Sequence, residues 1–412
     1  MRANLYGAWK TVVGKQPSGP SEELQGLGIV CYDPNPHSTS ANASLEDLSL
    51  PSNLEALTLG KDFDQSLRGV SLPSDLRTLA FGQKFNQSLE EVSWPRGLRV
   101  LMFGKAFNQK LDGVLLPQSL QILTFGHDFN QSLENAVLPS ALQTLTFGHS
   151  FNQSLDTTAL PSSLQGLILG KSFSQGLAKV KFPNTLRSLT LGHMFDQSLD
   201  DVTLPCTLET LIFGCSFNQS LDCVSLPRGL TTLKFGQKFN QPVDKMTLPT
   251  SLQTLMFGKE FNHVMTNVNL PSSLLSLELG HDFNGSILGM HVPSGLESLT
   301  FGARFNQSLN YIRLPSNLQA LTLGSNFQKS LAEVQLPGSC QKLTLRVDVN
   351  RSLGDVRLPR SLQTLVFGDE FNQSLSDTIF PAGLLVLTFG QQFNQSLDGV
   401  SLPSGLQTLT LG

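Results

Sequence analysis

The chain is poor in charge, in tyrosine and tryptophan, and in long apolar runs. Asp, Glu, Lys and Arg make up only 15% of its 412 residues, and there are two Trp and three Tyr against 27 Phe. Such a skew is expected when one short template has been copied many times, and it argues against a string of unrelated domains. The 28 basic and 32 acidic residues leave a formal charge of -4. A field that weak does not gather polyanions, so nucleic acid is not an expected partner. No stretch approaches the about 18 consecutive apolar residues that span a bilayer, and residues 1–15 lack the apolar core of a secretory signal. The expectation is a cytoplasmic chain without membrane contact.

Cysteine is scarce as well. Cys206, Cys215 and Cys223 lie close in sequence and Cys31 and Cys340 far off, with no C-x-x-C or Cys/His spacing of the kind that marks a zinc site or a disulfide framework. Free thiols in a reducing compartment are expected. N-x-S sequons recur at Asn86, Asn130, Asn152, Asn218, Asn284, Asn306, Asn350, Asn372 and Asn394, and glycans on them would crowd a stacked array. No serine sits in a nucleophile-elbow context, and the glycines are single, unlike those of phosphate-cradling loops. Neither catalytic residues nor a cofactor is expected. His127 and His149 fall on adjacent repeats, but no organised third ligand accompanies them, so no metal is assigned there.

What is abundant is periodic. Proline stands at 51, 73, 95, 117, 139, 161, 183, 205, 227, 249, 271, 293, 315, 337, 359, 381 and 403, a spacing of 22 without insertion or deletion. Counted from each proline as position zero, Leu occupies +6 in every copy from Leu57 to Leu409. Position +3 is Leu except at Cys340, +8 is Leu or Phe, +9 is Gly except at Arg346, +12 is Phe except at Val349, and +16, +19 and +21 are mostly aliphatic. The spacing L-x-x-L-x-L occurs at +3, +6, +8 and again at +16, +19, +21, and the last two of each set alternate as on a strand facing a core. Two short extended segments per coil are therefore expected, with Gly at +9 serving a sharp or φ > 0 turn and Pro closing the second segment. Gly and Pro about every ten residues disfavour helix. One coil cannot offset the entropy of ordering its own backbone, so neighbours have to stack and share ladder hydrogen bonds.

Segments such as Phe129-Asn130-Gln131-Ser132-Leu133 followed by Leu138-Pro139, and Leu164-Gln165-Gly166-Leu167-Ile168-Leu169-Gly170, resemble FNIP repeats, a leucine-rich-repeat-like family of about this period. The resemblance covers nearly nine-tenths of the chain and implies a solenoid that serves protein interaction. Two features depart from the family pattern. The proline that usually follows Phe-Asn-Gln survives only at Pro242 and is otherwise mostly Ser, and the Asn lies five residues past the third apolar position instead of three. An asparagine ladder between neighbouring turns is expected, its register open. The fold class is all-β: a right-handed leucine-rich-repeat-like solenoid of 22-residue coils with parallel sheets and little helix.

Residues 1–43 carry no repeat and read as an N-terminal cap, with Trp9, Val12, Val13 and an apolar run from Leu27 to Tyr32. Residues 44–412 form the array, which stops at Thr410-Leu411-Gly412 after the first strand of a coil. This reads as a fragment of a longer chain, and the expected state is a monomer or an end-to-end association through the uncapped C-terminus. The coil 337–358 is degenerate, with Cys340, Arg346 and Val349 at three core positions.

Three surfaces are candidates for binding a protein partner. Positions +5 and +7 flank the inward Leu at +6 and present Met102, Thr124, Thr144, Thr146, Ile168, Thr190 and Ile212 on a hydroxyl-rich, nearly uncharged face. Exposed strands favour such residues, but exposed apolar area along a sheet also marks a covered surface. At +10 the N-terminal coils carry His127, His149, Lys171 and His193, and at +17 they carry Asp112, Glu134 and Asp156, two columns sorted by sign that fade after about residue 285. The paired outward threonines of Thr144-Leu145-Thr146 and Thr408-Leu409-Thr410 suggest a second function, an ice-binding lattice, which Lys234, Met256 and Glu278 interrupt.

Overall fold

Among the described residues, the 22-residue period folds into one strand and three β-turns. The computed structural model describes residues 29–32, 50–346 and 354–412. In the coil that begins at Pro51, the turns close by hydrogen bonds from Leu54 N–H to Pro51 O, Phe63 N–H to Gly60 O and Val70 N–H to Leu67 O, each 3.1 Å. The strand lies between the first two turns at +5 to +7, where Thr, Val and Ile are frequent and the branched side chains suit a pleated surface.

The described residues fall into two compact units, one running to Gln131 with Asn135–Leu142 added, the other comprising Ser132–Glu134 and Gln143–Gly412. The first unit holds β1 (Ile29–Tyr32), β2 (Ala56–Leu59), β3 (Thr78–Ala80), β4 (Val100–Met102) and β5 (Ile122–Thr124), paired parallel in sequence order. The expected cap lies outside the described residues except for β1, whose backbone pairs with β2 in the same parallel sense as the repeats. The second unit holds β6 (Thr144–Thr146), β7 (Gly166–Ile168), β8 (Ser188–Thr190), β9 (Thr210–Ile212), β10 (Thr232–Lys234), β11 (Thr254–Met256), β12 (Ser276–Glu278), β13 (Ser298–Thr300), β14 (Ala320–Leu323), β15 (Lys342–Leu345), β16 (Thr364–Phe367), β17 (Val386–Thr388) and β18 (Thr408–Thr410). They too pair parallel, each strand with the next, and the partners are offset by 22 residues, as at Leu233 and Leu255.

The second extended segment expected in each coil is not a strand. Between +16 and +19 the chain makes a β-turn instead, with Gly69 and Gly113 at the +18 corner in left-handed conformations, φ 77° and 73°. A turn brings its first and fourth residues to the same side, so Leu67 and Val70 are both buried without strand pairing. One such turn, Leu309–Tyr311, tightens into a 3-10 segment capped by Ser308.

The core is a set of side-chain columns running from coil to coil. Phe at +12 is buried from Phe63 through Phe371; Phe85, Phe107 and Phe129 stack at centroid spacings of 6.0 and 6.1 Å with nearly parallel planes. The second unit has its own column at +12, from Phe151 to Phe327 at similar spacing. Where +8 is Phe, it packs on the +12 ring of its own coil, as Phe81 does on Phe85 at 3.9 Å.

Glycine at +9 opens the expected sharp turn, as Phe63 N–H bonded to Gly60 O shows, but not in a left-handed conformation, and its missing side chain has a further reason. None of these glycines has a positive φ among the described residues. A Cβ at Gly126 would lie 1.5 Å from the carbonyl oxygen of Gly104, so two backbones meet where a side chain would stand. The degenerate coil shows the alternative: around Arg346 the strands lengthen by one residue, with Arg346 N–H bonded to Leu323 O at 3.0 Å and Gly368 N–H to Leu345 O at 2.8 Å. Cys340 replaces the +3 Leu in the core there, and Val349 lies outside the described residues.

Candidate protein interface

The strand face is built by alternation. In the first unit Met102 and Thr124 stand in register on β4 and β5, and both are partly exposed beside fully buried Leu101 and Leu123. In the second unit Thr144 and Thr146 flank buried Leu145 on β6, and Thr146, Ile168, Thr190 and Ile212 follow one another in register through β9. A hydroxyl run, Thr210, Thr232, Thr254, Ser276 and Ser298, occupies +5 on five successive strands. Lys234, Met256 and Glu278 interrupt the +7 column on β10, β11 and β12.

The backbone fixes the flanking turns. At +10 and +11 each coil's N–H bonds to its predecessor, as Lys84 N–H does to Lys61 O at 3.0 Å, and Ser172 N–H to His149 O at 2.8 Å. His127, His149 and Lys171 are exposed on this turn and His193 is half-buried. The +10 column is less purely cationic than its residues suggest, because acids at +11 share the turn: His127 pairs with Asp128, and His281 Nδ1 lies 2.7 Å from Asp282 Oδ1. Arg304 Nε lies 3.2 Å from the same oxygen. The His281 hydrogen bond, aided by the Arg304 charge, holds the Asp282 carboxyl below the usual carboxylate range. In the first unit Lys84 does the same to Asp62 at 2.8 Å.

The acidic column stands on a different turn. Asp112, Glu134 and Asp156 are exposed, and the Ser at +15 accepts the backbone N–H two residues on, from Glu134 to Ser132 Oγ and from Asp156 to Ser154 Oγ, each 3.1 Å. The recurrent serine is thus a turn residue. Between the two turns runs the asparagine ladder, in a register now defined: the Asn108 N–H donates to Asn86 Oδ1 at 2.8 Å, and the Gln109 amide reaches the same oxygen at 3.1 Å.

Two features were missed in the sequence. In the first unit Val92, Trp94, Arg96, Leu115 and Pro117 line an open groove, and the buried Trp94 indole N–H has no hydrogen-bond partner among the described residues. Leu115 is 80% exposed at +20, a position where most coils carry a polar residue, which was the available signal. In the second unit Cys215 Sγ lies 3.8 Å from His193 Nε2, a pair one period apart in the chain. Among the described residues no three His, Cys, Asp or Glu side chains gather around one point. No helix among them is long and apolar enough to cross a membrane.

A parallel ladder of 22-residue coils, one strand per coil, leucine at each inward strand position and an amide ladder at the bend define a leucine-rich-repeat-like solenoid protein. Solved structures of that class resemble it. CroV588, described as a novel circular LRR protein, matches with 35% identity and a TM-score of 0.72 over 87% of this chain and 60% of its own, so the chain spans less than two thirds of that protein. YopM from Yersinia enterocolitica shares the fold, with 20% identity and a TM-score of 0.50 over 86% of this chain and 72% of its own. No curated protein matches the chain. The FNIP Repeat family matches residues 42–84, 85–128, 129–172, 173–216, 217–260, 261–304, 305–346 and 350–392, and the chain belongs to that family.

Proposed function

We propose that the chain is a non-enzymatic protein-interaction scaffold whose partner covers the outward strand face at +5 and +7, with the +10 and +17 turns as polar rims. Leucine-rich-repeat proteins commonly mediate protein–protein interaction, and family and structural neighbours are repeat scaffolds. The observation that carries the reading is the partly exposed, nearly uncharged run Thr146, Ile168, Thr190, Ile212 on four adjoining strands. A dry centre of aliphatic and hydroxyl side chains with charged residues at its edge is the anatomy of a protein interface. A cytoplasmic setting fits, since Cys206 and Cys223 are exposed thiols and the sequon asparagines are engaged in the inter-coil ladder.

The test is capture of partners by the full-length chain, compared with Ile168→Arg together with Ile212→Glu, and with charge reversal at Asp112, Glu134 and Asp156. Loss of a partner in the first variant and a weaker, salt-sensitive loss in the second support the reading. A partner that both variants retain refutes it.

A further inference from the structure

We propose that Cys215 is a site of reversible oxidation by hydrogen peroxide in the second unit, with the His193 imidazole as the base that takes its proton. The two residues occupy +10 of successive coils, so the 22-residue step sets them side by side, Cys215 Sγ 3.8 Å from His193 Nε2. A nucleophile within hydrogen-bond reach of a base is the pairing that activates a thiol. Backbone bonds hold both turns, from Ser216 N–H to His193 O and from Lys238 N–H to Cys215 O, each 2.8 Å, so the pair is set before any reagent arrives.

The surroundings suit a developing anion. From His149 to Lys238 the +10 and +11 positions of five successive coils include Lys171 and Lys238 and no acid, whereas Asp62, Asp128 and Asp282 hold +11 elsewhere. Asp196, three residues after His193, turns its Oδ1 to the Asn218 N–H and the Gln219 amide at 2.8 and 3.0 Å. Positive groups fixed where negative charge grows favour the step that builds it. Cys215 is half-buried and open to a small polar oxidant, while Cys340 is fully buried and Cys206 and Cys223 are exposed at +1 and +18, on other turns.

In the reaction Sγ attacks one peroxide oxygen, an S–O bond forms and the O–O bond breaks. Sulfur loses two electrons and the peroxide gains them. The thiol proton passes to Nε2 and from there to the departing hydroxide, so thiol and hydrogen peroxide become sulfenic acid and water with the imidazole unchanged. No other cysteine stands in the +10 column, so the sulfenic acid meets no thiol of its own turn. Two equivalents of a small thiol in solution reverse it, the first forming a mixed disulfide and water, the second releasing the Cys215 thiol and a small disulfide.

The experiment treats the reduced, full-length chain near neutral pH with equimolar hydrogen peroxide and a cyclic dione that traps sulfenic acid, and follows each cysteine peptide by mass spectrometry over time. Cys215 should be trapped about tenfold or more faster than Cys206 and Cys223, the exposed references in the same sample. His193→Asn should slow trapping at Cys215 about tenfold and leave the references unchanged. A small thiol added before the dione should remove the label. Equal rates at Cys215, Cys206 and Cys223 would refute the site, and so would an unchanged Cys215 rate in His193→Asn. A product that the small thiol does not reduce would overturn reversibility. The comparison within the wild-type sample decides between these outcomes even where a variant fails to fold. All of them are independent of the scaffold reading, which stands or falls on the strand face.

Discussion

A Cβ added at Gly214 would sit 1.7 Å from the carbonyl oxygen of Gly192, one coil earlier. Nothing at that distance yields by rotating a side chain, because the obstacle is backbone. Gly214→Ala should therefore force the coils apart and destabilise the protein by about 1–3 kcal/mol, in the range of core overpacking. Gly176→Ala is the control: nothing lies within 4 Å of the new Cβ and the residue has no positive φ. That change should be neutral or stabilising by up to about 1 kcal/mol. Urea unfolding of both variants reads the difference.

Asn218 Oδ1 accepts the Asn240 N–H at 2.8 Å and the Gln241 amide at 3.1 Å. Asn218→Ala leaves a backbone donor without its acceptor and should cost about 1–3 kcal/mol. Asn218→Asp keeps the acceptor and should be tolerated near neutral pH, since Asp196 already makes the same bonds to Asn218 N–H and the Gln219 amide at 2.8 and 3.0 Å. Equal losses in the two variants, measured by thermal unfolding, would show that the ladder contributes nothing through its oxygen.

The Asp282 carboxyl is held low by His281 and Arg304, so its folded pKa lies beneath its unfolded value. A group shifted that way adds stability above the ordinary carboxylate range and loses it as the pH falls through the folded value. The pairs are largely at the surface, so the contribution is at most about 1 kcal/mol. Asp282→Asn should lower the unfolding midpoint more at pH 7 than at pH 2. A loss of the same size at both values would rule out the ionised carboxylate as the cause.

Cys340 is fully buried, and burial pushes its thiol up to about 11. Thiolate, not thiol, is the reactive form. Alkylation of the native protein at pH 8 should mark exposed Cys206 and Cys223 and spare Cys340 until denaturant is added. Mass spectrometry of digested peptides settles the order of labelling.

An ice lattice requires an unbroken array of hydroxyls at regular spacing. Lys234, Met256 and Glu278 stand next to one another on three paired strands, a long charged chain at either end of a bulky apolar one. The protein should show no thermal hysteresis in a nanolitre osmometer, and a clear freezing hysteresis would revive that reading.

The period, the parallel pairing and the inward leucines were legible because a strand places alternate residues on one face, and the +6 column is Leu without exception from Leu57 to Leu409. The second strand was misread because L-x-x-L spacing is equally satisfied by a β-turn whose ends both point inward, and a hydrophobic pattern carries no record of hydrogen bonds. For glycine at +9 the sharp turn was legible, but the close approach of Gly192 to Gly214 is a contact between coils that a single coil does not display. His193 and Cys215 escaped notice as a pair because the +10 column was read for its charged and His residues, and Cys215 was counted only among the cysteines. The strand face, read from alternation, is partly exposed, the acidic turns, read from a single column, are exposed, and acids at +11 temper the positive column.

Asn240 lends its oxygen forward to the Asn262 N–H and donates its own N–H back to Asn218, each one coil away. A whole coil spliced into such a run arrives with one acceptor to offer and one donor to satisfy, and leaves no bond unmatched. A single added residue would displace the donor from the oxygen and a strand from its face at once. The array can therefore lengthen or shorten by duplication and loss of entire turns, while its reading frame of 22 residues is held rigid by chemistry alone.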